Sequence, residues 1–321
     1  MSLNHEKKTL EVQYKRRSAS QWAVAWRRFK RNKAGVAGLI IVIFIVFVGF
    51  FGSFFAPYPA RPDPGAYEPF YRGDVRVPPC EKYPLGTSAI GTDILSDIIH
   101  GTKYSLYVGV VVTAITMLIA IVIGSIAGFY GGWVDNVLMR ITEIFLVFPS
   151  LLFILVFVRI FTLTVGEPFW TVPLIGIKIP AGLTIVTLIL AIFNWASNAR
   201  MIRGEFLRIR ELEFIEAEKA LGASNTRIIF RHILPNILPS IIVVSSLTIA
   251  YAILVEAAVS FLGFGDPNTA TWGQILQENY SDMRTVWWAE VFPGLAILIT
   301  VFGFNLLGDG LSDALNPRLR D

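Results

Sequence analysis

The sequence predicts an all-α protein that crosses a membrane six times. Of its 321 residues, 54% are hydrophobic and only 16% are charged, and the mean hydropathy is +0.58. A single soluble core would not normally bury that much apolar surface. Six apolar segments also reach the roughly 20 residues that a helix needs to cross a bilayer core of about 30 Å. The predicted class is therefore a polytopic membrane protein.

A few residues within the six predicted transmembrane segments indicate how the helices pack or bend. We expect the first to remain as an anchor and not to be a cleavable signal peptide, because its apolar run is too long and follows a long basic segment. In the second, Gly124 and Gly128 would let two helix backbones approach closely. In the third, Pro149 removes a backbone hydrogen bond and predicts a kink. The segments are Val36–Phe55, Leu106–Tyr130, Val137–Phe161, Leu183–Ala199, Ile237–Phe264 and Pro293–Leu311.

The distribution of Lys and Arg residues predicts the orientation in the membrane. Basic residues concentrate in segment 1–35 and in loop 200–235, which predicts that both are cytoplasmic. Six spans then put the N-terminus and the C-terminus on the same cytoplasmic side. The predicted parts are a cytoplasmic segment 1–35, a first helix 36–55, an exterior loop 56–105, a five-helix core 106–311 and a cytoplasmic tail 312–321. Within the first part, Trp22–Phe29 is either an interfacial helix or a cytoplasmic stretch whose basic residues only set the topology.

Several function classes find no support in the residues. The pI near 9.2 and the net charge of +4 follow from membrane topology, so we expect no nucleic-acid binding. Cys80 is the only cysteine and the three histidines show no ligand spacing, so no metal site is predicted. The segment Gly86–Thr92 has phosphate-loop glycines, but Thr92 stands where the lysine should be. We therefore expect no ATP hydrolysis by this chain and no catalytic residues.

The clearest functional signal lies between the fourth and fifth predicted spans, from Glu213 to Pro239. A helix should end at Gly222, and Ser224 should cap a second helix. Pro235 marks the entry to the next span. A predicted apolar patch with charged neighbours could dock into a soluble partner. Its members are Ala217, Ala220, Leu221, Ile228, Ile229 and Ile233, flanked by Glu216, Glu218, Arg227 and Arg231.

This segment resembles the EAA loop of binding-protein-dependent ABC importer permeases. The family pattern is Glu-Ala-Ala, three residues, Gly, nine residues, then Ile-x-Leu-Pro. The chain departs from it at Glu218, where Ala is usual, and at His232, where Ile is usual. The matching residues are Glu216, Ala217, Gly222, Leu234 and Pro235.

Most of the remaining chain resembles the C-type permease of dipeptide and oligopeptide importers. The segments that carry this resemblance include WRRFKRNKAGVAGLIIV, PLGTSAIGTDILSDIIHGTKYSL and NLLGDGLSDALNPRLR. Ser88 and Thr92 depart from it, since an acidic and a basic residue are expected there.

The resemblance implies a type I ABC importer permease fold in the cell membrane. It also implies four kinds of partner: a homologous B-type permease, two ABC ATPase subunits that use ATP and Mg, an exterior solute-binding protein and membrane lipid. The chain itself would bind no cofactor. The residues implied in ATPase coupling are Glu216, Ala217, Ala220, Leu221, Gly222, Ala223, Ser224, Arg227, Arg231 and Pro235.

Two residues are candidates for the translocation path. Pro149 would bend a helix there. Glu256 lies within the fifth span, where a carboxylate facing lipid costs roughly 2.5 to 3.5 kcal/mol, so it should face protein or the path. It could contact a substrate amine or make a hydrogen bond between helices. Asp135, Arg140 and Glu143 are interpreted as gate or interface ion pairs, or as solvated charges, rather than as binding groups.

The residues leave the cargo open. Peptides are expected, but the same family imports oligosaccharides, nickel chelates and glutathione. A secondary transporter is the main rival from another class, and the docking segment argues against it. Trp272, Trp287 and Trp288 are expected either to anchor the chain at the membrane interface or to contact the binding protein.

Overall fold

The computed structural model describes residues 21–59, 74–164, 169–171, 178–267 and 269–315. The basic residues before position 21, the Pro-rich part of the predicted exterior loop at 60–73 and the tail after 315 lie outside these ranges. Helices make up most of the described chain. Strands β1 (Phe169–Thr171) and β2 (Lys178–Pro180) form one short antiparallel pair.

The helices confirm the predicted class. Five helical segments are long and apolar enough to cross a membrane, and α4 with α5 would make a sixth if this bent pair is one broken span. The helices are α1 (Gln21–Phe29), α2 (Lys33–Phe51), α3 (Ile94–Tyr130), α4 (Gly132–Val147), α5 (Ser150–Thr164), α6 (Ala181–Arg210), α7 (Glu213–Ala220), α8 (Asn225–Arg227), α9 (Leu234–Val259), α10 (Trp272–Asn279) and α11 (Trp288–Leu315). A π-helical turn (Ile228–Ile233) joins α8 to α9, and a second one (Ser260–Phe264) follows α9.

Helices α3 and α6 extend furthest beyond their predicted bounds, and α11 (Trp288–Leu315) also exceeds the predicted Pro293–Leu311. Helix α3 begins at Ile94, not at Leu106, because the Asp93 carboxylate accepts the Ser96 N–H at 2.8 Å and caps the helix. Residues 94–105, predicted to belong to the exterior loop, are therefore helical. Helix α6 likewise continues to Arg210 through residues assigned to the coupling loop. Charged and other polar residues interrupt both extensions, so an apolar window could not reveal them.

The predicted interruption at Pro149 is confirmed, and it is larger than a kink. Helices α4 and α5 meet at an angle of 83° on either side of it. Phe148 is extended at ψ 138°, the conformation that a residue before proline prefers. The chain therefore turns sharply at this position.

Small residues set the closest helix contacts. A Cβ on Gly124 would lie 2.6 Å from the Ala199 carbonyl oxygen, and one on Gly128 would lie 2.6 Å from the Phe206 Cβ. This confirms that the glycine pair lets two helices approach, here α3 and α6. Gly35 on α2 meets Gly310 on α11 in the same way. The outer faces carry many exposed apolar side chains suited to lipid or a partner subunit, including Ile40, Ile43, Phe44, Phe47, Phe50, Leu118, Val122, Leu298 and Phe302.

A compact cap covers the start of α3. The Trp288 indole N–H donates to the Thr87 carbonyl at 3.0 Å, and the Trp272 indole N–H donates to the Ile98 carbonyl at 3.1 Å. Both indoles are buried, so neither expected role, interfacial anchor or binding-protein contact, holds for them here. Their apolar area is used for internal packing instead. Trp287 is half exposed.

The segment that resembles a phosphate loop is a tight turn within this cap. Gly86 and Gly91 both adopt positive φ, and Thr87 pairs with Asp93. Ser88 and Thr92 contact each other, since the Ser88 Oγ accepts the Thr92 N–H at 2.9 Å and the Thr92 hydroxyl at 2.8 Å. The two departures from the family pattern therefore form one buried hydrogen-bonded pair.

Candidate functional site: the coupling elbow

The segment with the EAA pattern forms two helical arms joined by a sharp turn, which we call the elbow (residues 213–235). Helix α7 is the first arm, and α8 with the following π-helical turn is the second. The elbow begins only two residues after α6 ends and continues directly into α9. It therefore connects two candidate membrane helices with almost no flexible linker on either side.

Backbone hydrogen bonds fix the turn between the arms. Gly222 has φ +81°, its N–H donates to the Lys219 carbonyl at 3.0 Å, and the Ala223 N–H donates to the Glu218 carbonyl at 3.0 Å. This is a Schellman helix end. The Ser224 hydroxyl oxygen then accepts the Arg227 N–H at 3.4 Å. The predicted helix end at Gly222 and the predicted cap at Ser224 are confirmed.

The exposed surface of the elbow differs in part from the predicted patch. Ala217, Ala220 and Leu221 are exposed, with Leu221 84% exposed. Ile228 and Ile233 are fully buried, so their assignment to the docking patch is wrong. They pack with Ile215 and with residues of α6. The π-helical turn shifts the angular position of each side chain, which a regular helix pattern does not anticipate.

Two exposed aromatic residues were missed by the sequence analysis. Phe214 on α7 is 42% exposed and Phe230 on the second arm is 64% exposed. With Leu221 they give the elbow three large apolar side chains that reach solvent. Exposed apolar residues among charged ones are typical of binding surfaces. The charged side chains around them include Glu213, Glu216, Lys219, Arg227 and Arg231.

The two departures from the EAA pattern lie beside each other. His232 Nε2 is 3.6 Å from a carboxylate oxygen of Glu218, and both side chains are mostly buried between the arms. The contact is an ion pair when His232 is protonated. Where the family pattern has two apolar residues, Ala and Ile, this chain therefore has an acid and a base that join the arms.

Arginines on α6, the helix that leads into the elbow, connect it to α3 and α4. The Arg210 guanidinium donates to the carbonyl oxygens of Gly128 and Phe129 at 3.1 Å each, at the end of α3. Arg203 makes a bidentate ion pair with Asp135 on α4. A displacement of the elbow would therefore be passed to α3 and α4 as well as to α6.

The other candidate residues lie away from the elbow. Glu256 is fully buried, and its Oε1 accepts the Ser260 hydroxyl at 2.7 Å. It contacts its own chain in this conformation, so a role in the translocation path stays a prediction. Pro149 is exposed at the break between α4 and α5.

Comparison with known proteins places these features in a family. The family described as binding-protein-dependent transport system inner membrane component matches residues 120–321, which include the whole elbow. The chain belongs to this family. Residues 20–79 also match the N-terminal transmembrane domain of oligopeptide transport permease C. The chain is thus a multi-pass membrane permease of an ABC importer, as the resemblance implied.

Full-length relatives support the same family. The chain is 35% identical to the glutathione transport system permease protein GsiD of Pectobacterium atrosepticum, over 93% of this chain and 92% of the relative. It is 34% identical to the oligopeptide permease OppC of Bacillus subtilis, over 95% and 92%. It is also 34% identical to the dipeptide permease DppC of Bacillus subtilis, over 99% and 92%.

Proposed function

We propose that this permease forms half of a translocation path for di- or oligopeptides and couples that path to separate ATPase subunits. The elbow supports this proposal most directly. It is a short projection with exposed apolar side chains at its turn, and it follows directly on α6, whose arginines contact α3 and α4. Such a surface suits a groove in a soluble partner.

Coupling needs no chemistry from the elbow itself. Partner subunits would bind and hydrolyse ATP with Mg, and their movement would displace the elbow. Because the interfaces between packed helices switch between discrete arrangements, a small displacement can change which side of the path is open. A homologous B-type permease would supply the other half, and an exterior solute-binding protein would deliver the cargo.

The cargo proposal rests on the relatives. Two of those described above are named for dipeptide or oligopeptide transport and one for glutathione, which is itself a small peptide-like solute. A short zwitterionic peptide is therefore the cargo we propose. Glutathione remains a second candidate within the same class.

A charge at the tip of the elbow tests the coupling. Leu221→Asp should leave the fold intact, because Leu221 is almost fully exposed and few internal contacts are lost. The buried groove of a partner would disfavour the new charge by a few kcal/mol. We expect ATP-driven uptake of trialanine by the reconstituted transporter to fall at least tenfold.

The matched control is Ser312→Asp, an exposed position on α11 outside the elbow. It should keep uptake near the wild-type rate, and both variants should insert into the membrane equally. Normal uptake by Leu221→Asp would contradict the proposed docking role of the elbow.

A further inference from the structure

A polar cleft lies between α4 and α6, at the end of the molecule that carries the elbow. Its volume is about 370 Å³, within the size range of small-ligand pockets. The sequence suggested ion pairs at this part of α4, and the fold adds two arginines from α6. The lining residues are Asp135, Asn136, Met139, Arg140, Glu143, Arg200 and Arg203.

The cleft cannot face the lipid core. The side chains of Arg140 and Glu143 are 84% and 53% exposed in this chain. Val137, Ile141 and Ile144 are exposed on the neighbouring face of α4, so the helix has one polar and one apolar outer face. An ionised side chain in lipid costs several kcal/mol, and such residues normally face water-filled cavities or partner protein. The polar face therefore turns away from lipid.

The cleft has one more basic side chain than its ion pairs account for, and this side chain is Arg200. Asp135 pairs with Arg203, and Glu143 pairs with Arg140 at 3.1 Å. Among the residues that the structure describes, Arg200 has no carboxylate within ion-pair distance. A guanidinium in this position offers a planar pair of donors that matches a carboxylate.

We propose that this cleft is a wall of the translocation path on the elbow side and that Arg200 binds the terminal carboxylate of a peptide cargo. The exposed Arg140–Glu143 pair supplies charges of both signs beside it, which suits a zwitterion. This inference rests on the proposed peptide transport function. Glu256 and Pro149 stay candidates for other parts of the path. The proposed cargo contact lies between α4 and α6.

Thiol labelling tests whether the cleft lines the path. In a Cys80→Ser background, Asn136→Cys should react with a membrane-impermeant maleimide in the nucleotide-free transporter. Trapping the partner ATPases with ATP and vanadate should lower the labelling rate at least fivefold, because the path closes on that side. Ser312→Cys should label equally in both states, and Ile144→Cys, on the apolar face, should label poorly in both.

Each labelling outcome of Asn136→Cys either supports or contradicts the proposed path wall. State-dependent labelling of Asn136→Cys supports the path wall. Equal labelling in both states would overturn it, since the cleft would then be permanently open surface. Absence of labelling in both states would also overturn it, since the cleft would then be buried against another subunit.

Protection by peptides tests the role of Arg200. Added directly to the nucleotide-free transporter, trialanine should slow labelling of Asn136→Cys about tenfold more effectively than trialanine amide, which lacks the carboxylate. Arg200→Gln should remove this difference, while Arg208→Gln, two turns further along α6, should keep it. Equal protection by both peptides, or none by either, would overturn the carboxylate assignment.

Two results distinguish a failure of the cleft proposal from a failure of the peptide-cargo proposal. If the wild-type transporter takes up trialanine but neither peptide protects the cleft, only the inference fails. If the wild type takes up no peptide while labelling still depends on the ATPase state, the path wall stands, the carboxylate assignment falls and peptide cargo is wrong.

Discussion

Gly222 determines the shape of the elbow through its backbone alone. Its φ of +81° lies in the left-handed region, and a Cβ built on it would meet nothing within 4 Å. A side chain would therefore fit in space but strain the backbone by about 1 to 3 kcal/mol. The turn between the arms depends on this one conformation.

A glycine series separates backbone strain from bulk. Gly222→Val should uncouple ATP hydrolysis from uptake, because a β-branched residue disfavours positive φ. Gly222→Asn should retain most of the coupling, since Asn adopts this conformation more readily. The measurement is the ratio of peptide taken up to ATP hydrolysed in proteoliposomes.

The control for this series is Gly204→Val. Gly204 also has open space around its Cβ position, but its φ lies outside the positive region. It should keep the wild-type ratio. If Gly222→Val coupled normally, the turn would have no role in transmission.

Glu218 and His232 are predicted to act as a unit. Glu218→Ala removes the partner of a buried imidazole nitrogen, and His232→Ile leaves a half-buried carboxylate without its base. The double variant restores the residues of the family pattern and removes both mismatches. We expect its thermal stability to lie closer to the wild type than additivity of the single variants allows.

If the effects of Glu218→Ala and His232→Ile on the unfolding temperature simply add in the double variant, the 3.6 Å contact carries no coupling energy. The measurement is the unfolding temperature of the purified transporter in detergent. A coupling of about 0.5 to 1 kcal/mol is expected for a partly exposed pair.

The sequence predicted the residues of the turn but not all those of the proposed docking face. Gly222 and Ser224 could be recognised because their roles depend on local backbone chemistry. Ile228 and Ile233 were misassigned because the π-helical turn after Arg227 leaves no mark in composition or spacing. The contact between Glu218 and His232 joins two arms whose relative angle the sequence does not give.

At the scale of elements, the contact between α3 and α6 holds the elbow in place. Its glycines let the helices pack backbone to backbone, and Arg210 closes the end of the contact. The sequence predicted this approach from the glycine spacing, although it could not name α6 as the neighbour. It also located the break at Pro149 but not its angle, which depends on packing around both halves.

A bulky residue in this contact should separate the two helices. In Gly128→Val, the new Cβ would lie 2.6 Å from the Phe206 Cβ and 2.8 Å from the Arg203 carbonyl oxygen. Overpacking of this kind costs about 1 to 3 kcal/mol. We expect a lower unfolding temperature in detergent and reduced uptake.

Gly294→Val on α11 is the matched control, because nothing lies within 4 Å of its Cβ position. It should unfold at a temperature near that of the wild type. An unchanged unfolding temperature for Gly128→Val would mean that α3 and α6 do not rely on their close approach.

At the scale of the molecule, the chain is a bundle of membrane helices with a cap at one end and the elbow at the other. The number of apolar segments followed from length and hydropathy, since the bilayer thickness fixes both. The extensions of α3 and α6 did not, because charged residues interrupt them and an apolar window excludes them. Those extensions carry the cap contacts and the arginines that hold the elbow.

The central claim is that the elbow is gripped by a nucleotide-driven partner. A photo-crosslinking amino acid at Leu221, in the assembled transporter, tests it most directly, with the same group at Ser312 as the control. We expect a cross-link from position 221 to an ATPase subunit, with a yield that changes when ATP and vanadate are added. The absence of a cross-link from position 221 to any ATPase subunit would contradict this proposal.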